Sequence, residues 1–279
     1  MNKRLIGRLL ASIGIENAVR SAWYRVMGRR IIKSVSLGNQ RCSFHCPIPM
    51  LSDSIAEANK ERPVLEWFLN RLREGDMVWD IGSNIGLWTV FAAKRAGASG
   101  KVLAFDPFAD AVRLLKANLV LNGVTNVIVR AEALGERDGR LPLYPAKADV
   151  FTTSSLTPRS GVFGTETQPT YVPVRAGAGI VRDDPSLVPD AMKLDVEGAE
   201  QAVLEGFSGE VWSRLHTLVI EVHPEFLPSM GGSVEEVRRI ISERGMKVAG
   251  ESTRRNTMHW LCCNDSIHSA SEGKPRQAP

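Results

Sequence analysis

The strongest constraint on the fold is a glycine-bearing turn between two apolar runs. Residues 79–86 read Trp-Asp-Ile-Gly-Ser-Asn-Ile-Gly, and the next apolar run ends at an acid, Asp106, twenty positions after Gly86. This order predicts a strand, a tight turn, a helix and a second strand that ends in a carboxylate. A nucleoside ligand can lie across such an edge, between backbone N–H groups and an acid that holds the ribose.

The glycine pattern narrows the kind of ligand. It is D-x-G-x-x-x-G and not G-x-G-x-x-G, so a nicotinamide dehydrogenase is the weakest candidate. The carboxylate of Asp80 would repel a pyrophosphate, yet it suits a ligand with an ammonium group and a sulfonium, which indicates S-adenosylmethionine. Asp106 would accept both ribose hydroxyls, and Glu132 would reach the adenine. The turn itself contributes Gly82, Ser83, Asn84 and Gly86 to the predicted cofactor site.

Short apolar runs alternate with helical patterns along the body of the chain. Strands are expected at 77–81, 101–105, 126–132, 191–196, 216–222, 247–249 and 258–263, and helices at 52–73, 86–96, 109–122, 199–204 and 234–244. Such alternation predicts an α/β fold, in which a parallel sheet has helices on both faces.

The chain divides into a basic N-terminal helical arm (1–50), a main domain (51–265) and a disordered tail (266–279). Within the arm, residues 1–33 are expected to be helical, and residues 34–50 to form an irregular or short-stranded connection. Within the main domain, residues 134–189 are rich in Ser, Thr, Gly and Pro and predict an insertion that acts as a lid. Short strands are expected there at 140–144 and 170–175, with a mobile loop at 152–164. This insertion is expected to shape the choice of acceptor.

Charge is distributed unevenly. Residues 1–46 hold nine basic residues and one acid, so the remainder of a chain with net charge +4 carries −4. This split does not support a basic catalytic face, and no nucleic-acid partner is expected. An apolar stripe within residues 1–33 favours a helix docked on the body, with peripheral membrane contact as the alternative. Without a membrane-spanning run or a signal peptide, the expected location is cytoplasmic, or membrane-peripheral through the arm, and the four cysteines are expected to be reduced thiols.

Two further motifs carry charged side chains at predicted strand ends. Lys193 and Asp195 alternate with apolar neighbours, so both point to one face of the sheet, where they either pair or serve a ligand. Glu197 follows them, and Glu200 is expected to cap the next helix. Glu221 and His223 share a face at the end of another apolar strand, and His223 is a candidate base.

The segments "DIGSNIG", "AFDP", "LLKANLVLNG", "KLDVEGAEQAVLEG" and "VIEVH" occur in an order and spacing that resemble the FkbM-type S-adenosylmethionine-dependent methyltransferases. The resemblance covers about residues 60–263. It implies a Rossmann-like class I methyltransferase fold with a mostly parallel seven-stranded sheet. It also implies O-methylation of a hydroxyl on a sugar, glycolipid or polyketide-type acceptor. Carried over by position, the turn and Asp106 bind the cofactor, and the acceptor is surrounded by Lys193, Asp195, Glu197, Glu221 and His223.

The resemblance has departures and leaves alternatives. Asp106 stands where the family often has Glu, and residues 175–179 differ from the usual stretch before the lysine block. Asp195 or His223 would remove the acceptor proton, with Lys193 holding Asp195 or the developing oxyanion. Asp195, Glu197 and Glu221 could supply oxygen ligands to a cation, but they form no metal signature and no metal is assigned. A nucleic-acid methyltransferase that uses the arm, and a catalytically silent module, are the alternatives, while the oligomeric state is left open.

Overall fold

The computed structural model describes residues 31–46, 49–144, 168–254, 256–264 and 266–267. The predicted arm helix up to residue 30, the predicted loop at 152–164 and the tail from 268 onward lie outside these ranges. The chain divides into two compact units, residues 1–61 and residues 62–279. This division falls about ten residues after the domain boundary predicted from the sequence.

The described part of the first unit contains a β-hairpin. Strands β1 (Ile32–Leu37) and β2 (Gln40–His45) pair antiparallel. These strands agree with the short-stranded connection predicted over residues 34–50, and the predicted arm helix is wrong only for residues 32 and 33, which belong to β1. Alternate side chains of both strands are buried, which is the two-residue repeat of a β-strand. A two-residue Gly-Asn loop joins the strands. Helix α1 (Pro49–Arg71) follows, close to the predicted helix at 52–73.

The second unit alternates strands and helices. Its strands are β3 (Met77–Ile81), β4 (Lys101–Phe105), β5 (Val127–Arg130), β6 (Ala133–Leu134), β7 (Gly139–Leu143), β8 (Thr170–Arg175), β9 (Ala191–Leu194), β10 (Thr217–Val222), β11 (Lys247–Arg254) and β12 (Thr257–Cys263). Its α-helices are α2 (Leu87–Ala96), α3 (Ala109–Leu121), α4 (Gly177–Asp183), α5 (Glu200–Glu205), α6 (Gly209–Arg214) and α7 (Val234–Glu243). Short 3₁₀ turns occupy Pro185–Leu187 and Leu227–Met230.

The main sheet has seven strands in the order β11-β12-β10-β9-β3-β4-β5. The five strands from β10 to β5 are parallel to one another, and β12 runs antiparallel between β10 and β11. The prediction of a mostly parallel seven-stranded α/β fold is confirmed. The chain leaves β3 toward β4 on one side and reaches β9 on the other, so the sheet has a topological switch point between β3 and β9. Ligands of open α/β sheets bind at the carboxyl ends of strands at such a point.

The segment between β5 and β9 forms a separate small sheet, with strand order β6-β8-β7. The two strands predicted within it are confirmed as β7 and β8. Helix α4 was not predicted, because Gly177 and Gly179 suggest a turn. Gly177 is nevertheless suited to that position, since a Cβ there would lie 2.5 Å from the Phe207 ring.

The core on one face of the main sheet is aromatic. Trp79 on β3 packs edge-on against Phe105 and Phe207, and Phe207 packs edge-on against Trp212. The Trp79 indole donates a hydrogen bond of 2.8 Å to the Leu187 carbonyl. These contacts fix β3 and β4 side by side, and therefore fix the turn that follows β3.

Within the ranges that the structure describes, no helix is both long enough and apolar enough to cross a bilayer.

Candidate functional site

A cavity of about 110 Å³ lies at the carboxyl ends of β3, β4 and β9. The wall is formed by the turn after β3, the end of β4, the strand β6 and the segment after β9. Its polar members include Asn84, Asp106, Glu132, Asp195 and Glu197. The structure therefore brings residues from both predicted halves of the site to one cavity.

The turn after β3 is tightly packed. Gly82 has φ of +78°, and a Cβ at this position would lie 1.8 Å from the backbone oxygen of Asp195. The N–H groups of Gly82 and Ser83 both donate to the Phe105 carbonyl, at 3.0 and 2.9 Å. Glycine is therefore required both by the left-handed backbone and by the closeness of the segment after β9. Further along, Gly86 also has positive φ, and its Cβ would meet the Leu115 side chain at 2.3 Å.

Asp106 anchors this turn. Its Oδ2 accepts from the Asn84 N–H at 2.8 Å, and its Oδ1 accepts from the Phe108 N–H at 2.9 Å. Burial raises the pKa of Asp106 to about 6, although these two N–H bonds and the Lys193 charge oppose the increase. Each carboxylate oxygen has two acceptor positions, so Asp106 retains capacity for the two ribose hydroxyls.

The cavity wall fits an adenosine-containing cofactor. The side-chain oxygens Oδ1 of Asn84 and Oε1 of Glu132 are buried, and neither has a hydrogen-bond partner among the described residues. Both residues line the cavity, together with Asp106 and the ring of Phe108. Buried acceptors of this kind are satisfied by ligand donors, and an adenosine group presents ribose O–H and adenine N–H donors.

Asp80 has a supporting position. Its side chain is 2% exposed, it accepts from the Thr89 hydroxyl at 2.5 Å, and its Oδ1 lies 3.6 Å from Lys193 Nζ. Burial raises its pKa, and the Lys193 charge and the Thr89 bond oppose that increase. Asp80, Ser83 and Gly86 are not among the residues that line the cavity. The carboxylate of Asp80 contacts Thr89 on α2 and Lys193 on β9, and its contact with the cofactor stays a prediction.

Lys193 joins the two halves of the site. It lies opposite Asp80 in the β3–β9 ladder, and its Nζ donates to the Gly82 carbonyl at 2.6 Å. The same Nζ lies 3.3 Å from Asp195 Oδ2, so the pair predicted from the sequence is present. Burial lowers the pKa of Lys193, but the charges of Asp195, Asp80 and Glu221 outweigh burial and raise it. The ammonium is therefore permanently charged and binds the turn to the segment after β9.

His223 lies at the centre of the second half. Its ring is 4% exposed, and its Nδ1 is 2.8 Å from Oε1 of the buried Glu200. Its Nε2 faces three carboxylates at longer distances, with Asp195 at 3.9 Å, Glu197 at 3.7 Å and Glu221 at 3.8 Å. The predicted acceptor residues are therefore brought together around this imidazole.

The protonation of His223 bears on its predicted role. Burial lowers its pKa, but the bond to Glu200 and the charges of Asp195 and Glu197 outweigh burial and raise it to about 9. With these side chains alone around it, the ring carries two protons at neutral pH. An imidazolium cannot accept a further proton, so this environment does not favour His223 as the general base.

Glu221 is held by a partner on the neighbouring strand. It lies opposite His259 in the β10–β12 ladder, and its Oε2 is 3.1 Å from His259 Nε2. Burial raises the pKa of Glu221, but the hydrogen bond and charge of His259, with the charge of His223, outweigh burial and lower it to about 2. Glu221 is therefore ionised across the physiological pH range.

The segment after β9 has an uncommon backbone. Glu197 has φ of +56° and Gly198 has φ of +109°. A Cβ on Gly198 would lie 2.7 Å from the Phe226 side chain, and the Phe226 ring stacks on His223 at 5.9 Å. A non-glycine residue in the left-handed region is uncommon and costs free energy, so the surrounding contacts hold Glu197 in place.

Three contributors were not predicted as site residues. Glu200 was expected to be a helix cap, yet it accepts from the Gly198 N–H and contacts His223. Thr89 and His259 were not singled out, although they contact Asp80 and Glu221. The available signal was the strand register, which places His259 beside Glu221 once β12 is known to pair with β10.

Residues 80–248 match the family described as the Methyltransferase FkbM domain. Hexuronic acid methyltransferase AglP of Haloferax volcanii is 26% identical over 202 residues, which are 72% of this chain and 75% of that protein. The 31-O-demethyl-FK506 methyltransferase FkbM of Streptomyces tacrolimicus is 25% identical over 205 residues, covering 64% of this chain and 76% of that protein. Methyltransferase 1 of Beauveria bassiana is 26% identical over 192 residues, covering 64% and 75%.

Proposed function

The chain belongs to the FkbM methyltransferase family and uses S-adenosylmethionine, and on that premise we propose that it methylates a hydroxyl group of a sugar, within a glycan or glycolipid. The observation that carries this proposal is the position of Asp195 and Glu197, which line the same cavity as the cofactor residues Asn84 and Asp106. Carboxylates on the acceptor side are suited to neutral polyhydroxylated molecules, because they accept hydrogen bonds from adjacent O–H groups.

The relatives support an oxygen acceptor. One is named for a hexuronic acid and another for the 31-O position of FK506. A polyketide-type hydroxyl is therefore the second acceptor class. A nucleic acid is disfavoured, because Asp195, Glu197 and Glu221 would repel a phosphate backbone, and the nearby charge of Lys193 is already paired.

The proposed mechanism is direct displacement. Bound S-adenosylmethionine supplies an electrophilic methyl group on a sulfonium. Asp106 and Glu132 would hold the adenosine part, and Lys193 fixes the turn through the Gly82 carbonyl. Asp195 would take the proton of the acceptor hydroxyl as its oxygen bonds to the methyl carbon, which gives a methyl ether, S-adenosylhomocysteine and a proton. Since the three reacting atoms must be in line, positioning supplies much of the acceleration.

The proposal is tested by transfer of radiolabelled methyl groups to three acceptor panels: oligosaccharides that carry hexuronic acids, hydroxylated macrolides, and structured RNA. We expect label in the oligosaccharides. Asp195→Asn should lower kcat by about 10²-fold or more while the affinity for S-adenosylmethionine stays unchanged. Asp110→Asn is the matched control, because Asp110 is an exposed acid on α3 that pairs with Arg113. Label in RNA alone, or an Asp195→Asn enzyme with full kcat, would contradict the proposal.

A further inference from the structure

We propose that Asp195, Glu197 and His223 bind a divalent cation of the Mn²⁺ type at the acceptor side of the cavity. One ligand atom from each of these residues lies within 4.8 Å of the others. Atoms that bind one cation at about 2.1–2.3 Å are at most about 4.5 Å apart, so small side-chain movements would complete the contacts. The three residues come from the ends of β9 and β10, which the fold holds side by side.

The imidazole of His223 points to a ligand independently of the acids. The ring is 4% exposed, and its Nδ1 is held by Glu200 at 2.8 Å. Its Nε2 points toward Asp195 and Glu197, but at 3.9 and 3.7 Å these contacts are too long for hydrogen bonds. No hydrogen bond to Nε2 is formed among the described residues, and an imidazole whose other nitrogen is held by a carboxylate is the usual arrangement of a metal-bound histidine.

The charge around the ring supports a cation. Asp195, Glu197 and Glu221 all lie within 4 Å of Nε2, and Glu200 lies on the Nδ1 side. Lys193 contacts Asp195, and His259 contacts Glu221. Asp195, Glu197 and Glu221 are partly buried, with 22–30% of each side chain exposed, and a divalent ion in contact with Asp195 and Glu197 would reduce the repulsion between these charges.

The donor set selects the kind of ion. One imidazole nitrogen with two carboxylate oxygens suits Mn²⁺ better than Mg²⁺, which prefers oxygen ligands and retained water. The three protein ligands would leave coordination positions open toward the cavity that Asp195 and Glu197 line.

The role of the ion rests on the proposed function. An acceptor hydroxyl bound to the cation would have a lowered pKa, and its oxygen would be fixed next to the cofactor. Asp195 would bind the ion through Oδ1, which faces His223, and its Oδ2 beside Lys193 would take the hydroxyl proton. The ion is neither oxidised nor reduced, and the products are those of the direct displacement described above.

The test is titration of the chelator-treated full chain with Mn²⁺, followed by the loss of the electron paramagnetic resonance signal of free Mn²⁺. We expect saturable binding of one ion per chain, in the absence of any methyl donor or acceptor. Asp195→Asn and Glu197→Gln should each weaken binding tenfold or more. Glu200→Gln should weaken it about 10- to 100-fold, because it loosens the imidazole that binds the ion. Glu251→Gln is the matched control, an exposed acid that pairs with Arg238.

Folding of each variant is checked by its circular dichroism spectrum and its midpoint of urea unfolding. Absence of saturable Mn²⁺ binding in a wild-type sample that binds S-adenosylmethionine would overturn the site. Unchanged Mn²⁺ affinity in both Asp195→Asn and Glu197→Gln would also overturn it, and Mg²⁺ binding as tight as that of Mn²⁺ would overturn the role of His223 as a ligand.

Methyl-transfer assays distinguish failure of the cation site from failure of the proposed function. Mn²⁺ binding with the expected variant pattern, but without methyl transfer to any oligosaccharide, would support the site and overturn the sugar acceptor. Full methyl transfer to an oligosaccharide by the chelated enzyme would support the acceptor and overturn the catalytic role of the ion.

Discussion

The two halves of the cavity are held together by different forces. At the β3–β4 edge, backbone N–H groups donate short hydrogen bonds to the Phe105 carbonyl and to Asp106. At the β9–β10 edge, carboxylates surround His223 at 3.7–3.9 Å without hydrogen bonds to its Nε2. At the first edge the backbone groups of the turn are satisfied within the protein, while the buried acceptors of Asn84 and Glu132 remain for a ligand. The second concentrates several carboxylates around one imidazole next to the cavity, so specificity for the acceptor side is expected to reside there.

Removal of the Lys193 charge, which joins the two halves of the cavity, should have the largest effect on stability. Lys193→Met leaves Asp80 buried without its counter-charge and frees the Gly82 carbonyl. We expect a loss of about 3–5 kcal/mol in the free energy of unfolding, measured by urea denaturation, because an unpaired buried charge remains. The exposed variant Arg239→Met, which breaks ion pairs on α7, is the control and should unfold like the wild type. Equal midpoints for the two variants would show that the halves do not depend on Lys193.

A smaller effect is expected where the halves touch through backbone. Gly82→Ala places a Cβ 1.8 Å from the Asp195 oxygen, whereas Gly123→Ala meets nothing within 4 Å. Both glycines have positive φ, so both variants carry the cost of a left-handed backbone, about 1–2 kcal/mol. Overpacking adds about 1–3 kcal/mol at Gly82 alone. Urea denaturation should therefore give a lower free energy of unfolding for Gly82→Ala than for Gly123→Ala. Equal losses of this free energy in the two variants would contradict the close contact between Gly82 and Asp195.

The smallest effect is expected from protonation of Asp106 in the first half of the cavity, which should lower the affinity for S-adenosylmethionine. With its pKa raised by burial to about 6, Asp106 is ionised at pH 7 and largely protonated at pH 5. Ribose O–H groups donate to the ionised form, so the affinity for S-adenosylmethionine should fall as pH falls through about 6, by roughly tenfold between pH 7 and pH 5. The charged groups that act on Asp106 are Lys193, whose charge favours the ionised form, and the buried Asp80, whose own pKa is raised by burial.

Isothermal titration calorimetry at several pH values measures this dependence. Asp106→Asn keeps the side-chain size and removes the titrating group, so its weaker affinity should be constant over the same range. A wild-type affinity that does not change between pH 7 and pH 5 would show that the ionised form of Asp106 is not required for binding.

The sequence predicts the first half of the site better than the second. The bounds of β3 and β4 follow directly from apolar runs that end at a turn and at Asp106, because a local pattern encodes both. The fold order was accessible for the same reason, since strands and helices alternate with clear periods. Glu197 and Asp195 were also found locally, from a strand that ends in charged residues.

What was missed depends on contacts between distant segments. Glu200 was assigned a capping role because its partner His223 lies 23 residues further along the chain. Helix α6 is six residues long and begins at a glycine, so it has no detectable period. Strand β11 was expected at 247–249 and extends to Arg254. Its last residues are polar and exposed at the sheet edge, so they give no apolar pattern from which the strand could be predicted. Pairing partners, and not local composition, decide such elements.

The contact between Gly82 and Asp195 implies thermodynamic linkage within the cavity. Lys193 Nζ contacts both the Gly82 carbonyl and the Asp195 carboxylate, and the Gly82 backbone packs directly on Asp195. A ligand that shifts the turn must therefore change the free energy of binding at Asp195. By reciprocity, an occupant of the β9–β10 edge changes the affinity for S-adenosylmethionine by the same factor. Product release and acceptor entry are then coupled through one lysine and one glycine.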